Sequence, residues 1–538
     1  MTKIKTFFKY DRVFLLILFI VGMLATFSYG VYFDQSSEQA ILFSNLKEYL
    51  LQLGAGDSQL VKDMDEAGII EISQSIEKDH GIAAYYPAGI VWFINQSSGY
   101  AGSIFWHIYT FLLVFLGVVS LYFLCKALFQ STKVASFTTL LFFLSPRMFA
   151  ESHYNNKDMV LVSFVFTLFY LGWRVAQEAS WKHIVLFAVA GAFAFNVKII
   201  GAWFFGLIGL YALLSFICTK RFHKGILLKV CTCILLWLVT FVLITPATWS
   251  GLIEYVQYVL GFTLDFARWN AYILYNGQLI HNEITGIPHK YLPTLIVYTT
   301  PVLILVLLAV GGCSLLYHLW KKRFRNLWQR EGYLSLIAMA GFLPLCFAVL
   351  ASTSVYNGWR HFYFVYCSII LCAGYGVYRL NQWLGKKLNS TIRISIGAVY
   401  VGILSITLLL NHPFQNCYYN LLAGKEVQNR YEMDYWNLSM WQALNFVAKD
   451  TPEGNITVSA YNAATSVGME ENQKAMPKKD ASRITIIEDW LEADYIIVNM
   501  TYSNMYNVGD YADIQKDYEL VKTFTSYGNT VAEVYRAK

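Results

Sequence analysis

The segment from Ser145 to Asp158 concentrates chemically capable side chains between two apolar runs, each of which is long enough to enter a bilayer. Its ionisable members are Arg147, Glu151, His153, Lys157 and Asp158. Ionisable groups at a membrane boundary are costly to bury, so we interpret them first as part of a functional site. The alternative is that they are ordinary interfacial anchors in a connecting loop.

Similar polar groups stand at the ends of other apolar runs. Asp34 follows the first run, Lys198 separates the fifth from the sixth, and Arg360 and His361 open the tenth. When the runs are taken as membrane spans in alternating directions, these groups and the Ser145–Asp158 segment fall on one side of the membrane. A common outer cavity is the simplest physical reason for such a distribution.

A cavity that places carboxylates beside cations suits group transfer from a phosphorylated lipid. A carboxylate can take the proton from an attacking hydroxyl, which contributes about 100-fold to 10,000-fold to a rate. Lysine and arginine can hold a phosphate and stabilise the charge that grows on it as it leaves.

The composition sets the class of protein that carries these residues. Of 538 residues 56% are hydrophobic and only 14% are charged, whereas soluble domains carry about a quarter charged residues. Repeated apolar runs predict an α-helical polytopic membrane protein with about eleven transmembrane helices. The predicted spans are about 13–32, 105–126, 134–149, 158–173, 184–196, 199–217, 226–247, 292–317, 332–351, 361–379 and 392–410.

The distribution of lysine and arginine predicts the orientation. With a cytoplasmic N-terminus, 21 of these residues fall in cytoplasmic segments and 9 in outer connectors, as the positive-inside rule requires. We therefore expect a multi-pass cell-membrane protein with a cytoplasmic N-terminus and an extracytoplasmic C-terminal domain. The break at Asn196-Val197-Lys198 is decisive here, because a single span in place of two would reverse everything after it.

Two domains are predicted. Residues 1–410 form the transmembrane domain, with outer loops at 33–104 and 248–291, and residues 411–538 form a small extracytoplasmic α/β domain. Its predicted elements are a helix at 436–449, strands at 455–460 and 495–499, and a terminal hairpin around Gly528-Asn529. This domain shows no catalytic motif, so we expect it to pack against the membrane part.

Charge and cysteines exclude some other classes. The net charge of +6 is small for this length and is explained by cytoplasmic lysine and arginine, so we expect no nucleic-acid partner. Eight of the nine cysteines fall in or beside apolar runs, and no Cys/His metal spacing or disulfide framework is present.

Four motifs carry a resemblance to a known family. They are Asp34 after the first span, Pro146-Arg147 through Asn155-Asn156-Lys157-Asp158, Gly358-Trp359-Arg360-His361-Phe362, and Asp434-Tyr435-Trp436. In these places the chain resembles membrane glycosyltransferases of the GT-C type, specifically the bacterial, family 39-like relatives of the dolichyl-phosphate-mannose protein mannosyltransferases. Two departures are Gln35, where many relatives have a second acidic residue, and Asn156, which replaces a proline.

The resemblance implies inverting transfer of a sugar from a polyprenyl-phosphate-linked donor to an acceptor hydroxyl of a lipid, polymer or protein. It implies that Asp34 is the general base and that Asp158 orients the acceptor or helps to hold a metal. The expected substrate-binding residues are Lys157, Lys198, Arg360, His361, Asn155 and His153. No cofactor is specified. A divalent metal stays an open alternative, although Gln35 removes a carboxylate that a paired-carboxylate or metal-assisted version of the chemistry would use.

Two other functional interpretations stay open at this point. A secondary transporter also places charges in its membrane part, although near mid-bilayer and usually within internal repeats. A non-catalytic membrane scaffold with an outer domain is the other alternative.

Overall fold

The computed structural model describes residues 2–95, 99–264, 271–321, 327–460, 463–502 and 514–538. Up to residue 410 the described part is almost entirely helical, and beyond it the chain forms a mixed sheet with helices. The predicted fold class, a helical polytopic membrane protein with a small C-terminal α/β region, is confirmed.

The helices up to residue 410 are α1 (Thr2–Ala25), α2 (Gln35–Gln52), α3 (Gln59–Glu66), α4 (Tyr86–Asn95), α5 (Gly99–Phe129), α6 (Thr132–Phe143), α7 (Pro146–Glu151), α8 (Asp158–Glu178), α9 (Trp181–Val197), α10 (Ile200–Cys218), α11 (Lys224–Ile244), α12 (Leu252–Leu264), α13 (Asn282–Thr285), α14 (Tyr291–Thr299), α15 (Val302–Lys321), α16 (Arg330–Leu350), α17 (Phe364–Leu384) and α18 (Ser390–Leu410).

Each predicted span coincides with at least one of these helices. Among the described residues eight helices are long and apolar enough to cross a membrane: α1, α5, α8, α10, α11, α15, α16 and α18. The shorter apolar helices α6 and α9 and the more polar α17 account for the other three predicted spans. Helices α9 and α10 are separate, so the break at Lys198 is real.

Two predicted spans are wrong in extent, and proline is the reason in both. The span predicted at 134–149 ends as α6 at Phe143, and a short helix begins at Pro146. The span predicted at 292–317 is divided into α14 and α15 at Thr300-Pro301. Proline has no backbone N–H and disfavours helical geometry in the residue before it, so each helix stops there.

The helical part has a buried centre formed by α8 and the helices around it. Most of α8 is buried, and it packs against α5, α9, α10 and α17. Glycines allow the closest approaches: a Cβ at Gly117 of α5 would collide with Ser163 of α8, and one at Gly311 of α15 would collide with the backbone of α17. Small residues at helix contacts are typical of membrane bundles.

The segments between the longer helices contain short helices and one unpredicted hairpin. Helices α2, α3 and α4 occupy the segment after α1. Strands β1 (Tyr272–Tyr275) and β2 (Gln278–His281) pair antiparallel around Asn276-Gly277, where both residues have positive φ. An Asn-Gly pair favours such a two-residue turn.

The C-terminal part is a five-stranded sheet with the order β4-β3-β5-β7-β6. Its strands are β3 (Ile456–Ala460), β4 (Ile484–Ile487), β5 (Tyr495–Asn499), β6 (Tyr518–Ser526) and β7 (Asn529–Ala537). Its helices are α19 (Ser439–Asp450), α20 (Ala463–Ala475), α21 (Lys478–Ala481) and α22 (Ile514–Asp517). The predicted helix, both predicted strands and the terminal hairpin are confirmed.

Candidate active site

Helix α2 carries the first two acidic residues of the site. Asp34 precedes the first turn of α2, and Glu38 lies one turn further on, so both side chains share one face. The Asp34 side chain is 34% exposed, whereas that of Glu38 is only 7% exposed. Asp34 is therefore the carboxylate of this pair that a substrate can reach more easily.

Arg360 is the partner of Asp34. Its Nη1 donates a hydrogen bond to Oδ2 of Asp34 at 3.0 Å. The guanidinium lies over two aromatic rings, 4.4 Å from the ring centroid of Trp436 and 4.8 Å from that of Tyr356. Arginine stacks on aromatic faces while it donates in its own plane, so Trp436 of the C-terminal part fixes the direction of the donors.

Glu38 pairs with the residue before α8. Oε1 of Glu38 lies 2.6 Å from Nζ of Lys157, and its Oε2 accepts a 3.4 Å hydrogen bond from Nδ2 of Asn156. The position that holds proline in many relatives thus contributes a side-chain amide to the site.

The first residue of α8, Asp158, forms the third pair. Its Oδ1 bonds Nζ of Lys198 from the break between α9 and α10. Its Oδ2 accepts a 3.1 Å hydrogen bond from Asn155, whose own Oδ1 accepts the Asp158 backbone N–H at 2.9 Å. Asn155 therefore holds both the backbone and the side chain of Asp158.

These three ion pairs belong to one electrostatic cluster. Although burial alone would lower it, the carboxylates of Asp34 and Asp158 raise the pKa of Arg360. Burial lowers the pKa of Lys198 against the opposing effect of Asp158, and the charges of Arg360 and Lys157 also lower it. The structure thus brings together three carboxylates and three cations: Asp34, Glu38, Asp158, Lys157, Lys198 and Arg360.

A buried network next to this cluster centres on Glu151. Its Oε2 accepts from Asn155 at 2.8 Å, and its Oε1 accepts from the hydroxyls of Tyr363 at 2.6 Å and Tyr435 at 3.3 Å. Burial raises the pKa of Glu151, and Arg147 opposes that rise. Through Asn155 the network connects to Asp158.

The two predicted histidines lie in different places. The ring centroid of His361 lies 4.6 Å from that of Tyr356, the ring that also contacts the Arg360 guanidinium. Burial and then the charges of Lys198 and Arg360 hold the pKa of His361 well below the ordinary value. His153 lies between Phe111 and Tyr29, where its Nδ1 is 2.9 Å from the Phe149 carbonyl oxygen and its Nε2 is 3.0 Å from that of Gly22. Its ring nitrogens thus face the backbone and not the ion pairs.

Gln35 also points away from the cluster. Its Nε2 donates to the hydroxyl of Ser103 at 3.1 Å, and the side chain is buried. Among the described residues the one group with metal-ligand spacing is Glu77, Asp79 and His80, whose ligand atoms lie within 4.8 Å of one another. This group lies between α3 and α4 and does not include the carboxylates of the ion pairs.

Sequence reasoning did not assign several side chains that complete the site. Trp436 and Tyr435 belong to a motif that carries the family resemblance, but the resemblance assigns them no role. Nothing in the sequence marks Tyr356 or Tyr363, because their partners lie far away along the chain. The sole signal for Trp436 was its place in the Asp434-Tyr435-Trp436 motif.

Residues 86–249 match the sequence profile of the family described as dolichyl-phosphate-mannose-protein mannosyltransferase. The predicted resemblance is confirmed over this segment. The matched residues include both members of the Asp158–Lys198 ion pair and Lys157, which pairs with Glu38 outside the match. Among curated proteins, none matches the sequence.

Three of the solved structures that match the chain have low sequence identity to it. ArnT from Cupriavidus metallidurans bound to undecaprenyl phosphate is 12% identical, with a TM-score of 0.45 and 98% of each chain covered. The Archaeoglobus fulgidus oligosaccharyltransferase in complex with Zn and sulfate is 10% identical, with a TM-score of 0.43, 95% of this chain and 73% of that chain covered. AglB from the same organism, in complex with an inhibitory peptide and a dolichol-phosphate, is 11% identical with a TM-score of 0.43, and 98% and 75% of the two chains are covered.

Proposed function

We propose that this membrane protein is an inverting glycosyltransferase that moves a sugar from a polyprenyl-phosphate-linked donor to an acceptor hydroxyl at the outer membrane face. The observation that carries the proposal is the cluster of three carboxylates paired with three cations at the ends of membrane helices. The family match over residues 86–249 supports the same class of reaction.

Asp34 is our candidate for the general base. It is the most exposed of the three carboxylates, at 34% against 7% for Glu38 and 5% for Asp158. In this role an oxygen of Asp34 takes the proton from the acceptor hydroxyl while that hydroxyl attacks the anomeric carbon. The carbon–oxygen bond to the phosphate breaks in the same step, and one displacement inverts the configuration.

The cations Arg360, Lys157 and Lys198 are our candidates for the donor phosphate. Nη1 of Arg360 donates to Asp34, while the buried Nε of Arg360 has no hydrogen-bond partner among the described residues. A phosphate oxygen can accept from such a donor, and the cations stabilise the charge on the departing phosphate. In this arrangement Asp158 positions Lys198, and Asn155 holds Asp158. His361, the neighbour of Arg360 in the chain, is a further candidate for contact with the donor.

The proposed orientation follows from the excess of lysine and arginine in one set of connectors. It places the N-terminus in the cytoplasm and the ion-pair cluster and C-terminal part outside. Trp436 stacks on Arg360, so the C-terminal part also supplies a wall of the proposed donor site.

The experiment is transfer of labelled sugar by the purified protein in lipid, with a panel of polyprenyl-phosphate sugars and acceptors from the same membrane. We expect transfer with at least one donor and an anomeric configuration in the product opposite to that of the donor. Retained configuration would contradict the inverting mechanism. Uptake of labelled solute into vesicles without transfer would favour a transporter, and neither activity would favour a scaffold.

A further inference from the structure

Glu432 is a buried carboxylate that accepts hydrogen bonds from four groups. It is 2% exposed. Its Oε1 accepts from the backbone N–H of Leu274 at 3.2 Å and from Nδ2 of Asn357 at 2.6 Å. Its Oε2 accepts from the Tyr291 hydroxyl at 3.1 Å and from the backbone N–H of Gly358 at 2.8 Å. One side chain therefore uses both oxygens to hold four donors.

These donors come from three separate segments of the membrane part. Leu274 lies in strand β1 of the outer hairpin, Tyr291 begins α14, and Asn357 and Gly358 lie just before Arg360. Glu432 itself lies in the C-terminal part, four residues before Trp436. The carboxylate is thus the point at which the C-terminal part, the hairpin and the segment that carries Arg360 meet.

The backbone around Gly358 depends on this contact. Its φ of 73° lies in the left-handed region, and a Cβ there would lie 3.3 Å from the ring of Tyr435. Glycine allows both the conformation and the approach. The N–H of Gly358 donates to Oε2 of Glu432 and also to the Tyr291 hydroxyl oxygen, at 2.9 Å, and these two bonds fix the direction in which the chain enters the Arg360 turn.

Other contacts attach the hairpin to the same region. Tyr275 forms an isolated antiparallel bridge with Tyr431, and the N–H of Gly277 donates to the Arg430 carbonyl at 3.2 Å. The Tyr502 hydroxyl donates to the Tyr272 carbonyl at 2.7 Å. Glu432 follows Tyr431 in the chain and is buried, so it lies directly beside these contacts.

We propose that Glu432 is a positioning residue that sets the place of Arg360 relative to Asp34 by holding Gly358, Asn357 and the β1–β2 hairpin. In this role the C-terminal part does more than pack against the helices: it determines the geometry of the donor site. The effect on donor use rests on the proposed function, whereas the hold on the hairpin does not.

The kinetic test compares Glu432→Gln with Glu426→Gln. Glutamine keeps the shape but turns an N–H2 toward two of the four donors. Glu426 is exposed on the same segment and serves as the matched control. We expect Glu432→Gln to raise the KM for the lipid donor about tenfold, with a smaller effect on the acceptor KM, because a charge-assisted contact is lost. Equal KM values for the donor in both variants would overturn the proposal.

A crosslinking test measures the position of the β1–β2 hairpin without any catalytic assay. Cysteines at Tyr275 and Tyr431 would occupy paired positions in an antiparallel bridge, within the range that a disulfide spans. Under mild oxidation we expect the 275–431 disulfide, detected by mass spectrometry, to form about tenfold more slowly with Glu432→Gln than with Glu426→Gln. Equal rates would contradict the hold on the hairpin, even if the wild type transfers no sugar.

The same cysteine pair also tests the connection to Arg360. If Glu432 acts by holding the hairpin and the Arg360 segment together, the oxidised crosslink should return the donor KM of Glu432→Gln toward the wild-type value, and reduction should abolish that rescue. An oxidised variant whose donor KM stays raised would show that the hairpin is not part of the positioning device.

Discussion

Arg360 and Asp34 are 326 positions apart in the sequence, yet Nη1 of Arg360 lies 3.0 Å from Oδ2 of Asp34. The contact joins the start of α2 to the turn before α17, and the centroid of the Trp436 ring, in the C-terminal part, lies 4.4 Å from the guanidinium carbon. The ion pair and the ring contact together join three segments that are far apart in the sequence. The more exposed carboxylate of the cluster is the one held in this way.

Arg360→Lys tests whether the planar guanidinium is needed. A lysine carries the charge, but it is a point charge that cannot donate in a plane to Asp34 while stacking on Trp436. We expect the donor KM to rise about tenfold or more, since a charge-assisted bond is weakened. Arg379→Lys, near the other end of α17, is the control. The donor KM of both variants is measured by steady-state kinetics. A normal donor KM for Arg360→Lys would show that the planar guanidinium is not needed.

Asp158 and Lys198 form a pair whose separate removal should be costly. Removing one partner of a buried ion pair costs about 3 to 5 kcal/mol, because the other charge stays buried without its partner. We expect Asp158→Asn and Lys198→Met each to lower the unfolding temperature in detergent, and the double variant to recover part of the loss. A double variant that shows the full sum of both losses would mean that the two side chains do not interact.

Glu151→Gln tests the network next to Asp158. Glu151 accepts from Asn155, Tyr363 and Tyr435, and glutamine keeps only one of the two acceptor oxygens. Since Asn155 then loses its anchor, we expect sugar transfer to fall about tenfold and the free energy of unfolding to fall by about 1 to 3 kcal/mol. Glu178→Gln, at the far end of α8, is the control, and transfer rates that are equal in the two variants would argue against the connection.

The stability contributed by Glu432 should depend on pH with a defined sign. Burial raises the pKa of Glu432 in the folded protein above the unfolded value of about 4.3. The folded state therefore favours the protonated form, and the stability so gained is present below the unfolded pKa and is lost as pH rises through the folded pKa. Glu432→Gln cannot titrate, so its unfolding temperature relative to wild type should increase as pH rises from about 4 through the raised folded pKa. A difference that decreases over this range would contradict the assignment.

Much of the fold follows from the sequence because the bilayer constrains it strongly. Apolar runs predict a helix at every span, and the break at Lys198 is correctly placed. The errors fall at Pro146 and Pro301, where a continuous apolar pattern conceals a missing backbone donor. The hairpin at Asn276-Gly277 was missed because two four-residue strands give only a short alternating pattern.

The site is harder to predict from the sequence, because its ion pairs and hydrogen bonds join residues that are far apart in the chain. The sequence pointed to Asp34, Asp158, Lys157, Lys198 and Arg360, all of which lie in one cluster, but it could not say which cation pairs with which carboxylate. Glu432 gave no signal at all, because its four donors come from segments 74 to 158 positions away. A substrate-binding role for His153 stays a prediction, with the ring placed among aromatic side chains.

The most direct test of the account is single-turnover sugar transfer by Asp34→Asn with saturating lipid donor and acceptor, beside wild type and Asp57→Asn. Asp57 is an exposed acidic residue between α2 and α3 and controls for loss of charge. If Asp34 is the general base, its variant should bind donor but transfer sugar at least about 100-fold more slowly, while Asp57→Asn behaves like wild type. A normal single-turnover rate for Asp34→Asn would contradict the central claim.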